Sequence, residues 1–180
     1  MAQKATQGFK ELYLTALTDT KTTDVEGVGV LRQEGDKFYR WVYNADASAL
    51  VAGQPVCYTL SNNETLHEAV DTPATANLAF LAGLAISAIP TLNYGWVLIE
   101  GWYESAYAVN SASNVIVSAG DILAPTNGAS ALAHHKAAAA VSANAYFGYA
   151  VAAESRNSGA AGITASSIAD VDVWVHCRNV

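Results

Sequence analysis

Two pairs of adjacent residues, His134 with His135 and His176 with Cys177, are of types that could do chemistry. Imidazoles ligate metals, but adjacent side chains point differently on a helix or a strand, and no carboxylate or cysteine lies at a usual ligand spacing. A thiol beside an imidazole could form a nucleophilic pair, yet neighbouring side chains of a strand project to opposite faces. We therefore expect no metal site, and we expect one residue of the second pair in the core and the other at the surface.

Other motifs for catalysis are weak. Asp121 follows Gly120 and precedes an apolar run, a position where an aspartate usually bonds the backbone of a turn. The sequence contains no Gly-x-Ser-x-Gly elbow, phosphate-binding glycine loop or Cys-x-x-Cys motif. It predicts neither catalytic residues nor a cofactor. A small hydrolase built around His134 or His176 stays an alternative, and a carboxylate pair for glycoside chemistry stays open.

Charge and composition limit the classes of partner that the protein is expected to bind. Charged residues make up 14% of the chain, against about 25% in ordinary globular proteins, which favours a protein that buries surface against partners. The formal net charge of −7 argues against nucleic acid, which is bound by clustered Lys and Arg. The first residues lack the apolar core of a secretory signal, and no run reaches the ~20 apolar residues of a membrane helix. We expect a protein that is made and kept in the cytosol and has no membrane partner.

The two cysteines, Cys57 and Cys177, lie in strand-like surroundings. In a cytosolic protein the default for such residues is a buried free thiol. A disulfide between them is the alternative, and it would require close Cα atoms.

The stretch around which the chain is organised is residues 94–102, a run of β-branched and aromatic residues that predicts a central, largely buried strand. Residues 171–177 repeat its Trp-Val core. Two earlier signals recur in the same order, one around Gly53 and Gly120 and one around Gly83 and Gly148, at offsets of 67 and 65 residues; the tryptophans are 78 apart. This pattern suggests two similar halves, over about residues 28–110 and 111–180, with chance similarity as the alternative.

Residues 28–44 predict a β-hairpin whose turn contains Gly35 and Asp36. One face of its second strand is mostly aromatic, which indicates that the core or a partner covers it. Residues 1–24 predict an extended arm with a small apolar cluster, which either folds back on the core or docks on a neighbouring subunit. The candidate protein-interface residues are Phe9, Leu12, Tyr13, Leu14, Tyr39, Trp41 and Tyr43.

The remaining apolar runs are short and separated by turn residues. Residues 74–89 favour a strand over a helix, residues 103–109 predict a further strand, and residues 131–145 leave helix and strand open. The sequence therefore predicts an all-β domain over residues 25–180, a single-domain barrel or sandwich of many short strands, preceded by the arm.

With these features in place, the chain resembles the capsid decoration, or cement, proteins of tailed bacteriophages. The resemblance rests on the hairpin of residues 28–43, the strand that begins at Tyr94, the step at residues 119–123 and the segment at residues 148–152 before a Val-rich terminal strand. It implies an all-β fold without catalytic residues or cofactor. It also implies binding to the major capsid protein on the capsid exterior as a homo-oligomer, most often a trimer.

Mass action gives such a role its physical logic, because a protein that binds only the assembled lattice adds its binding energy to the stability of the particle. An alternative function is a phage tail, fibre or carbohydrate-binding module. In that case exposed aromatic residues such as Trp102 and Tyr103 would form the ligand platform.

Overall fold

A computed structural model describes residues 12–59, 69–73, 80–109, 117–126, 129–134, 149–152 and 168–177. The regular elements in these ranges are all strands: β1 Leu31–Glu34, β2 Lys37–Asn44, β3 Pro55–Tyr58, β4 Ala69–Asp71, β5 Leu81–Ala85, β6 Tyr94–Val109, β7 Ile122–Thr126, β8 Ala129–His134, β9 Tyr149–Ala152 and β10 Ile168–His176. The all-β class is confirmed, and the choice between barrel and sandwich stays a prediction.

Strand β6 organises the sheet because it pairs with four other strands. Strands β2, β5 and β10 pair with it antiparallel, and β8 pairs with it in parallel. The strand order is β1-β2-β4-β3-β5-β6-β10-β9-β7-β8, with additional pairings β2–β6 and β6–β8. Residues 95–99 are buried, in agreement with a central strand at this position.

The sequence predicted two strands over residues 94–109 where the structure has one of 16 residues. Gly101 and Ser105 have φ angles of +117° and +62°, and the register with β10 shifts between Val171 and Val173. Irregularities of this kind bend a strand without ending it. The expected boundary near residue 102 is therefore a bend inside β6.

The predicted hairpin is present as β1 and β2. Glu34 pairs with Lys37, which leaves Gly35 and Asp36 as the turn, and Gly35 has the positive φ of +61° that such a turn requires. Strand β5 confirms the strand predicted within residues 74–89. For the segment left open between helix and strand, residues 131–134 belong to strand β8, and residues 135–145 lie outside the described residues.

Two sets of strand pairings have the same register. Each residue in the second set lies 67 positions after its counterpart in the first (122 − 55 and 151 − 84). The corresponding pairs are Pro55↔Leu84 with Ile122↔Val151, and Val56↔Gly83 with Leu123↔Ala150. The turns before β3 and β7 also correspond. The N–H of Gly53 donates to Ala85 O at 2.8 Å, and the N–H of Gly120 donates to Ala152 O at 2.7 Å.

Strand β6 takes part in both sets. Its N-terminal part pairs Leu98 with Leu84 as β10 pairs Trp174 with Val151, and its C-terminal part pairs in parallel with β8 as β2 does with β4. We call β2 to β6 the first set and β6 to β10 the second set. The proposed boundary of the halves, between residues 110 and 111, stays a prediction, but the last strands correspond at an offset of 76 residues (174 − 98).

Candidate interaction surfaces

The described part of the predicted arm, residues 12–24, packs on β2 and β6. The fully buried ring of Trp96 lies edge-on to Tyr13 with the centroids 5.6 Å apart, and its indole N–H donates to Thr15 Oγ1 at 2.9 Å. The indole N–H of Trp41 likewise donates to Asp24 Oδ1 at 2.9 Å. Of the two alternatives for the arm, this part of it folds back on the core.

A buried carboxylate and a guanidinium hold the arm in place. Glu26 Oε1 accepts from Leu14 N at 2.7 Å, Thr15 N at 2.6 Å and Thr15 Oγ1 at 2.7 Å. The guanidinium of Arg32 lies 4.8 Å from the ring centroid of Tyr13, and its Nη1 donates to Thr15 O at 2.7 Å. Bonds to charged groups are the stronger kind, so the backbone at residues 14 and 15 is well anchored.

Two leucines of the anchored arm point away from the sheet. Exposure alternates along residues 12–18, so that Tyr13 and Thr15 face the sheet while Leu12 and Leu14 are 73% and 67% exposed. We call Leu12 and Leu14 the arm strip. Phe9, the other aliphatic or aromatic candidate of the arm, lies outside the described residues.

The aromatic face of β2 is covered by the chain itself, one of the two coverings that the sequence left open. Tyr39 and Trp41 are buried, and Tyr43 is half-buried with its ring 5.0 Å from that of Tyr94. Burial first and the nearby charge of Glu34 second raise the pKa of the Tyr39 hydroxyl. Tyr39 and Trp41 therefore belong to the core of a single copy and offer no free surface there.

The second set carries a partly exposed apolar line that the sequence did not single out as a unit, with two members exposed and two half-buried. It runs across four neighbouring strands in direct register: Trp102, Trp174, Val151 and Ile122. Trp174 is 42% and Ile122 50% exposed, and the rings of Trp102 and Trp174 meet edge-on at 5.5 Å. We call these four residues the aromatic row.

The equivalent line in the first set is buried. Leu98, Leu84 and Pro55 stand where Trp174, Val151 and Ile122 stand in the second set, and all three are buried. Partly buried residues of the arm and the segment after it pack against the hydrophobic core that contains Leu84 and Leu98; they are Tyr13, Leu17, Val25, Val28 and Val30. The line is thus buried in the first set, whereas Trp174 and Ile122 are exposed in the second.

The candidates for chemistry are spread apart. Cys177 is buried and His176 is exposed, as expected for adjacent residues of a strand, and His176 pairs across the strands with Glu100. His134 ends β8, and His135 lies outside the described residues. Within the described ranges, no group of three or more His, Cys, Asp or Glu side chains could hold a metal ion, and no helix is long and apolar enough to span a membrane.

Both thiols are free and buried, which confirms the default expectation over a disulfide. Burial, and next the neighbouring Cys177, raise the pKa of the Cys57 thiol far above its usual value. A thiolate is the nucleophilic form, so Cys57 stays an inert thiol at neutral pH.

The structure also joins two carboxyl groups, Asp46 and Asp71, which the sequence did not connect. Burial first, and then the hydrogen bond to Asp46 and its charge, raise the pKa of Asp71. Burial acts to raise the pKa of Asp46 too, but hydrogen bonds from Asp71 and the loop outweigh it and lower that pKa. Asp46 also accepts from Ser48 N at 2.8 Å and Thr72 N at 3.1 Å, so the pair ties two loops together.

The chain matches no protein-family model, no curated protein and no solved structure.

Proposed function

We propose that this chain is a non-enzymatic structural protein of a phage virion that binds and stabilises the outer surface of the capsid. The observation that carries the proposal is the arm strip. Leu12 and Leu14 project outward, and the carboxylate of Glu26 anchors the backbone at Leu14 and Thr15 by accepting from both of their N–H groups. Apolar side chains presented on ordered backbone bind a partner at a low entropy cost, because little is left to be ordered on binding.

Composition and resemblance support the same role. A chain with 14% charged residues and two exposed apolar patches suits a protein that works in an assembly. The net charge of −7 suits the capsid exterior, away from packaged DNA. The partners in this proposal are the major capsid protein and sister subunits, as the resemblance to decoration proteins implies.

Adding purified protein back to particles that lack it tests the stabilising role. Because a ligand that binds only the assembled shell stabilises it by mass action, the temperature at which the shells disrupt should rise with added protein and then saturate. Light scattering during heating measures this temperature. A disruption temperature that does not respond to the protein would contradict the proposal.

A tail, fibre or carbohydrate-binding module is the second candidate, and the pair of exposed Trp174 and half-buried Trp102 favours it. Aromatic rings offer apolar faces for sugar rings, and Trp174 is exposed. Tyr103 is half-buried, with its hydroxyl donating to Ala85 O at 3.4 Å, so the platform would centre on the two tryptophans. If glycan binding is detected and survives the double substitution of both tryptophans by Ala, this candidate fails.

A further inference from the structure

We infer that the aromatic row is the docking surface for the arm strip of a second copy of this chain, so that copies join through two different patches. The inference rests on the proposed function, which calls for contacts between sister subunits. Its test uses purified protein without particles, so this inference and the proposed function can fail separately.

The arm strip and the aromatic row both have exposed residues in the same copy. Leu12 and Leu14 face outward while Trp174 and Ile122 are 42% and 50% exposed, so the strip of a copy does not cover its own row. Exposed apolar residues grouped in this way mark interaction sites. Since every copy carries both patches, the arm strip of a second copy can cover the row of the first, and the row of a further copy can cover the strip of the first.

The repeated register favours the arm strip as the occupant. In the first set, the three residues equivalent to Trp174, Val151 and Ile122 are buried. The inner side of the arm packs through Tyr13 and Thr15 on Trp96, two residues from Leu98 on the same strand of that set. The second set has the same strand arrangement and an exposed face, and the outer side of the arm offers the apolar side chains to cover it.

Charge favours this pairing over contact of two rows with each other. Strands β6 to β10 contain Glu100, Glu104, Asp170 and Asp172 and no Lys or Arg. Two rows face to face would bring these acidic strands together. The sequence of the arm, residues 1–24, holds three basic and three acidic residues, so the arm brings no net charge to these acidic strands.

The dimensions permit this contact. Residues two apart in a chain are separated by at most roughly 7 Å, and side chains along a line across neighbouring strands recur at about 5 Å intervals. Leu12 and Leu14 can therefore contact adjacent members of the row, such as Trp174 and Val151. A contact between unlike patches of identical copies is heterologous, and it closes into a ring when the rotation between copies permits.

Complementation between two variants tests the inference. The full chain should sediment as an oligomer at about 100 µM, and both Trp174→Ser and the double variant Leu12→Ser, Leu14→Ser should sediment as monomers with wild-type circular dichroism. An equimolar mixture of the two should form a 1:1 dimer, because the intact arm of one fits the intact row of the other. Leu92→Asn, at a turn residue that is 62% exposed and belongs to neither patch, should keep the wild-type oligomer.

A monomeric full chain, an unchanged oligomer in either variant, or a mixture that stays monomeric would overturn the inference. Retained association of the Leu12, Leu14 variant through its rows would show contact between like patches instead. Absence of the protein from virions would contradict the proposed function and leave the dimer in the mixture unaffected.

Discussion

The position of the arm depends on a few polar atoms, among which the carboxylate of Glu26 has the largest share. A buried carboxylate that accepts three hydrogen bonds from residues 14 and 15 offsets its own desolvation and orients the backbone that carries Leu14. Thr15 links Glu26 to Trp96, since its hydroxyl donates to the Glu26 carboxylate and accepts from the Trp96 indole N–H. The outward direction of the arm strip follows from this chain of contacts.

Glu26→Gln should lower the free energy of unfolding by about 1–2 kcal/mol, because an amide oxygen makes weaker bonds than the carboxylate. The amides of Leu14 and Thr15 should also exchange with solvent faster. Urea unfolding and hydrogen exchange measure the two effects, and Glu104→Gln, at an exposed position, is the matched control. Equal stability of the two variants would show that Glu26 does not anchor the arm.

The Asp46–Asp71 pair predicts a dependence on pH. Because the pKa of Asp71 is raised on folding, its protonation contributes stability below the unfolded pKa of about 3.9, and this contribution is lost as pH rises through the folded pKa. Asp71→Asn still donates to Asp46 and does not titrate. The stability of the wild type relative to this variant should therefore fall as pH rises from about 4 to 7.

Urea unfolding of both proteins across this pH range measures the difference. A difference between wild type and Asp71→Asn that stays constant with pH would mean that the two carboxyl groups do not share a proton.

At the scale of elements, the repeated register gives a matched pair of glycines. Gly53 and Gly120 precede β3 and β7 with φ angles of +83° and +89°, so an added side chain strains both. A Cβ at Gly53 would lie 2.6 Å from Ser105 O of β6, whereas one at Gly120 meets nothing within 4 Å. The two positions differ in their packing and share their backbone conformation.

Gly120→Ala should cost about 1 kcal/mol of unfolding free energy from the left-handed backbone alone. Gly53→Ala should cost a further 1–3 kcal/mol or so, because β6 must shift away and the bond from Tyr107 N to Gly53 O at 2.9 Å is disturbed. Thermal and urea unfolding compare them. Equal losses would contradict the close approach of Gly53 to β6.

Sequence patterns predicted the elements better than their partners. Local residue types that favour strands in any chain context predicted three features: the β1–β2 hairpin, strand β5 and the central strand. The length of β6 was missed because a glycine such as Gly101 is typical of a strand end, although the pairing with β10 continues past it. The repeat was aligned on identical residues such as Trp96 and Trp174, whereas register is set by hydrogen bonds, which align Trp174 with Leu98.

The sequence could not show which of the candidate interface residues are exposed, because exposure depends on how distant segments pack. The outward Leu12 and Leu14 were among the candidate interface residues, but Tyr39 and Trp41 were not separable from them because burial depends on where the arm lies. The aromatic row could not be found from sequence at all. Its four residues come from four strands, and only the pairing of β6 with β10, β9 and β7 brings them into line.

At the scale of the whole molecule, the two patches predict that copies of the chain join. In the proposed assembly, a copy with an arm strip and an aromatic row binds other copies without a different protein, and joined copies would present many weak contacts to a lattice at once. The low content of charged residues fits an assembly in which much of the surface is covered.

The copy number of this protein in virions tests the central claim most directly. Particles purified on a density gradient from the source lysate should contain it, by quantitative mass spectrometry, in a number comparable to that of the major shell protein. A handful of copies would contradict capsid decoration and favour a tail or fibre component. Complete absence from the particles would contradict a virion function altogether.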